Sequence, residues 1–167
     1  MIMGILRHRW LSLPGAILAL MLVIATPGAA QACQSPADTV ALRMAVLERV
    51  NAERARSGLP ALGASGPLTQ AAQGHACYLA QRGALSHRGR LGESLGRRLR
   101  REGYALSRAN ENLALGQTSP AQAVGSWMAS PAHRANVLMN GMRDFGLGVA
   151  VTGNGRLVWV MVSARPR

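Results

Sequence analysis

At 167 residues, with 49% apolar and only 4% aromatic side chains, the chain is long enough for one domain with its own core and too short to suggest two. Its 19 basic residues, all arginine, face 7 acids for a formal net charge of +12, which favours anionic partners such as lipids or envelope polymers. So few aromatic rings leave little for bases to stack on, and this argues against nucleic acid as a partner.

Residues 1–32 carry the three parts of a secretory leader. Arg7 and Arg9 supply the positive start, Ala16 to Ala25 form an apolar run, and Pro27-Gly28 break it. Ala30-Gln31-Ala32 then offers small residues for cleavage, after Ala32 or after Ala30. The run falls short of the roughly 20 residues a spanning helix needs, so the expectation is an exported chain, periplasmic or secreted, with no transmembrane anchor. Residues 33–167 remain as a single domain. They hold both cysteines, and in an oxidising compartment the simplest arrangement joins Cys33 to Cys77. A lipoprotein acylated on Cys33 is the alternative, which the large polar Gln31 fits poorly.

Asp38 reads as the N-cap of a first helix with Leu42, Val46, Leu47 and Val50 on one stripe, ending at Gly58. A second helix starts at Pro67, carries Leu68, Ala71, Ala72, His75 and Leu79 inward, and closes at Gly83. On that stripe His75 reads as a core or boundary residue. A loop through Ser86-His87 leads to a short basic helix with Leu95 and Leu99 inward. Its run Arg97-Arg98-Leu99-Arg100-Arg101 reads as a solvated face, with Arg97, Arg98, Arg100 and Arg101 a candidate patch for anionic partners. Gly92-Glu93-Ser94-Leu95-Gly96 matches a nucleophile elbow, but no apolar strand precedes it, so a loop and helix cap is the better reading.

Glu111-Asn112-Leu113-Ala114 opens an apolar, strand-like stretch. Ser119-Pro120 and Ser130-Pro131 each start a helix, the first with Val124, Trp127 and Met128 on one face. From Phe145 to Val151 bulky residues alternate with Gly146, Gly148 and Ala150, a strand with one nearly bare face. After a Gly153-Asn154-Gly155 turn, Leu157 to Val162 runs apolar without alternation, as a strand covered on both sides does. Helices followed by a doubly covered sheet predict an α+β chain folded as a three-layer α-β-α sandwich.

Several of these segments recur in order in one family. Leu47 to Arg54 with Gly58 to Leu62, Leu85-Ser86-His87, Glu111 to Ala114, Trp127 to Leu138 and Phe145 to Val149 together resemble the CAP superfamily. That family, also called SCP-like, covers cysteine-rich secretory proteins, antigen 5 and pathogenesis-related 1, and the match is to its short bacterial branch. The resemblance implies an α-β-α sandwich with an open cleft lined by His87, His133 and Glu111, able in many members to bind zinc or another divalent metal. The second acid usually falls where this chain has Ser130, so one anionic group of that set is missing. Three functions follow: a cleft that binds metal, lipid or envelope fragment without established catalysis; a hydrolase using Glu111 or a histidine as base; or an envelope protein working through its arginine surface. Neither sequence nor resemblance specifies an oligomeric state.

Overall fold

The structure, a computed structural model, describes residues 33–167; the leader assigned to residues 1–32 lies outside the described residues. Helix α1 spans Thr39–Arg56, the two-residue strand β1 Gly63–Ala64 and helix α2 Gly66–Arg82. Helix α3 (Leu95–Arg101), strand β2 (Leu106–Leu115) and helices α4 (Pro120–Ala129) and α5 (Pro131–Val137) follow. Strands β3 (Asp144–Val151) and β4 (Leu157–Pro166) complete the chain.

Local chemistry starts and stops these elements much as the sequence predicts. The Ser65 and Ser119 hydroxyls accept from the Leu68 and Gln122 amides, and Gly83 ends α2 in the left-handed conformation. Ser94 caps α3 by accepting from Arg97 N, which bears out the cap reading over the nucleophile elbow. Asp38 and Ser130 differ: they precede α1 and α5, but neither side chain makes a capping bond.

One sheet runs in the order β1-β3-β4-β2, parallel between β1 and β3 and antiparallel elsewhere. Side chains alternate across its strands, so each face builds its own core. Toward α2 and α3, Val158, Val160, Val162 and Ala150 meet Leu68, Ala72, Leu79 and Leu99. On the other face Phe145, Leu147, Val149, Trp159 and Met161 meet Val46, Val50, Trp127 and Val137 of α1, α4 and α5. This is the expected three-layer sandwich. The bare face of β3 has a purpose: a Cβ at Gly146 or Gly148 would lie nearer than 3.0 Å to the α2 backbone at Leu68 and Ala72.

Two tethers secure the periphery. Cys33 and Cys77 form a disulfide with Cα atoms 5.3 Å apart, and Val151 N donates to Gln34 O, holding the N-terminal segment against α2 and β3. Arg54, fully buried, donates to the carbonyls of Pro60, Val137 and Met139, which ties α1 to the end of α5. No helix among the described residues is long and apolar enough to cross a membrane.

Candidate functional site

Glu111 lies within β2, opposite Val162 of β4, and its side chain is only 3% exposed. A carboxylate so deep requires partners. Its Oε2 accepts from Arg98 Nη2 at 2.6 Å, and its Oε1 from His87 Nδ1 at 2.8 Å. His75 Nε2 stands 3.9 Å from the same Oε1 and donates to Ser86 O at 2.8 Å. Arg98 Nη1 also reaches the carbonyls of His87 and Glu93, both at 3.3 Å. The loop bearing His87 is thus clamped from beneath by two buried side chains, while the His87 side chain is itself 63% exposed. Further along the loop, Leu91 is fully exposed and holds a left-handed backbone at φ 54°, a strained conformation for leucine.

The two histidines are driven in opposite directions. The hydrogen bond to Glu111 raises the His87 pKa above its ordinary 6.5. Burial lowers that of His75, against a partial opposing pull from Glu111. Stability tied to His87 is therefore complete below pH 6.5 and is lost as pH rises through its higher folded pKa. Stability tied to His75 is complete above 6.5 and is lost as pH falls through its lower folded pKa. An NMR titration of the ring protons is expected to show His87 titrating above 6.5 and His75 below it, with His87 moving down in Glu111→Gln. A single shared midpoint would contradict the geometry.

The structure brings together His87 and Glu111 of the expected cleft. Alternation along β2 sends Glu111 to the α2–α3 face and Asn112 to the α5 face, where Asn112 Nδ2 donates to His133 O. The His133 imidazole makes no hydrogen bond or ion pair among the described residues, and neither it nor Ser130 lines the hollow beside His87. Arg98 corrects the surface patch. With Leu95 and Leu99 it shares one helical stripe, so its guanidinium is buried against Glu111 and is not solvated. Arg101 is exposed but paired with Glu93 and Glu102, leaving Arg97 and Arg100 as the open charges of that run. Sequence reasoning missed Arg98 and His75 as site residues; the one available signal was that both sit on otherwise apolar helix stripes.

The model of the cysteine-rich secretory protein family, CAP, matches residues 47–163. The chain belongs to the CAP family. A Bacillus subtilis (strain 168) relative, YkwD, described as uncharacterized, is 28% identical over 120 residues, covering 72% of this chain and 47% of its own. This CAP chain therefore spans about half the length of that curated relative. The fold matches an outer surface protein of Borrelia burgdorferi with a TM-score of 0.73 and 16% identity, covering 81% of this chain and 100% of that one. It also matches an extracellular SCP-domain protein of Bacillus anthracis str. Ames with a TM-score of 0.68 and 24% identity, covering 75% of this chain and 41% of that one. A cysteine-rich secretory protein of Staphylococcus aureus matches with a TM-score of 0.62 and 19% identity, over 78% of this chain and 41% of that one.

The donors in this CAP domain suit a divalent cation poorly. Both Glu111 oxygens are engaged, one by a guanidinium that would repel a cation. Among the described residues no three of His, Cys, Asp and Glu converge closely enough to hold one.

Proposed function

We propose that this CAP protein is exported and acts by binding a cell-envelope fragment in the hollow beside His87. Export is supported by the leader pattern and by relatives described as extracellular and as secretory. The hollow, of about 290 Å³, is lined by His87, Arg88, Ser94, Leu95 and Glu111. One observation carries the reading: Glu111 holds His87 through Nδ1, which leaves Nε2 for a ligand on a largely exposed ring. With the His87 pKa raised by its hydrogen bond to Glu111 and with Arg88 beside it, the rim suits an anionic group, and Leu95 suits an adjoining apolar one. The carboxylates of peptide-bearing wall fragments have that chemistry.

Calorimetric titration with soluble peptidoglycan fragments is expected to show saturable binding. His87→Ala should weaken it about tenfold or more, as loss of a charge-assisted hydrogen bond does. No binding to the folded wild type overturns the reading. Zinc binding lost in both His87→Ala and His133→Ala would assign the site to a metal instead.

A hydrolase is the second reading, favoured by the bond between Glu111 and His87, which matches a base oriented by a carboxylate. Cleavage of a peptide library by wild type but not by Glu111→Gln would support it.

A further inference from the structure

Away from that hollow, the far end of the sheet gathers arginines from separate parts of the chain. Arg108 of β2 stands directly opposite Arg165 of β4 in the strand register, beside an irregularity between Leu106 and Arg108. Side chains so opposed share a face with Cβ atoms about 4.5–5.5 Å apart, a spacing at which like charges repel. Arg167 folds back onto the same place: its amide donates to Ala105 O and its Nε to Leu106 O. The Ser107 hydroxyl, bonded to the carbonyls of Arg165 and Pro166, pins the irregularity down. These residues, with Asn140 and Gly141, line a hollow of about 320 Å³.

Among the described residues no acidic side chain pairs with this cluster. Glu53, Glu93, Glu102 and Glu111 pair with Arg56, Arg101 and Arg98, and Asp144, the acid nearest in register, accepts from the Tyr104 hydroxyl. None of Arg108, Arg165 and Arg167 makes an ion pair among the described residues, and all three are exposed. Opposed arginines without an acid cost stability unless something anionic sits between them.

We propose that this hollow is a phosphate-binding site. A carboxylate has two oxygens, which a single guanidinium fork satisfies; a tetrahedral phosphate offers acceptors to several forks at once. Its charge also turns the repulsion between Arg108 and Arg165 into shared attraction. The site is separate from the His87 hollow, with which it shares no lining residue. The phosphate can come from lipid headgroups or from a soluble polymer, and the chemistry is the same.

The test uses the purified protein, inorganic pyrophosphate as probe, and two charge-matched double variants. Arg108→Gln/Arg165→Gln removes the opposed pair; Arg97→Gln/Arg100→Gln removes two open charges elsewhere. Pyrophosphate is expected to bind wild type and the α3 control saturably and to raise their melting temperatures. In Arg108→Gln/Arg165→Gln affinity should fall about tenfold or more and the thermal shift should vanish. Without ligand that variant should melt at or above the wild-type temperature, since a repulsion has been removed. Equal weakening in both variants would mean diffuse charge attraction and overturn the site, as would the absence of saturable binding. Co-sedimentation with phosphatidylglycerol but not phosphatidylcholine vesicles, competed by pyrophosphate, would assign the source to headgroups. Pyrophosphate binding without vesicle binding would assign it to soluble phosphate.

Discussion

Arg98→Met is expected to destabilise the protein by about 3–5 kcal/mol, the range for breaking a buried ion pair from one side. The Arg98 guanidinium and the Glu111 carboxylate are 2% and 3% exposed and meet at 2.6 Å. Taking away the cation leaves the nearly buried Glu111 carboxylate with one hydrogen bond, from His87, so most of the cost is an uncompensated charge. The same change frees the carbonyls of His87 and Glu93, which Arg98 holds, and so loosens the loop that carries the candidate ligand group. Urea denaturation is the measurement, read as a fall in midpoint at constant slope. Arg98→Met/Glu111→Met should be less destabilised than Arg98→Met alone, because an apolar pair leaves no orphaned charge. A single variant within about 1 kcal/mol of wild type would show that the pair is solvated, as a surface salt bridge is.

Gly148→Ala is expected to cost about 3 kcal/mol or more, at or beyond the upper end of overpacking penalties. The added methyl would meet the backbone of Ala72 and Gln73, and a helix backbone yields far less readily than a flexible side chain. Since α2 also carries His75, forcing the helix off the sheet should draw that imidazole away from Ser86 and Glu111. Two readouts then move together: the denaturation midpoint falls, and the depressed His75 pKa rises toward 6.5 as the ring gains water. Gly74→Ala is the control. It lies within the same helix with open space around it, and replacing a helical glycine there should stabilise by about 0.5–1 kcal/mol. Equal behaviour of the two alanines would refute the close approach of α2 to β3.

The strand from Phe145 to Val151 was the most legible part of the fold. Its period of two, bulky against bare, left a face that another element could approach closely, and α2 lies there. The Ser119 cap and Gly83 were equally readable, because they act within a few residues of the backbone groups they satisfy. Strand β1 was not read at all: two residues carry no period, and only pairing with Asp144 and Phe145 makes Gly63–Ala64 a strand. Arginine chemistry was legible as charge but not as role. Arg97, Arg98, Arg100 and Arg101 look alike in the chain, yet a partner on another strand selects Arg98 for burial.

From the chain alone came the elements other than β1, the layered architecture, the pairing of Cys33 with Cys77 and two members of the candidate site, His87 and Glu111. All of these rest on local signals or on a residue order shared with a family. Folding assigned the partners: Arg98 and His75 to Glu111, the His133 carbonyl to Asn112, and Arg108 to Arg165 at the sheet's end. Those meetings depend on which face a strand residue takes and on the register between strands far apart in sequence. A linear pattern of charge holds neither.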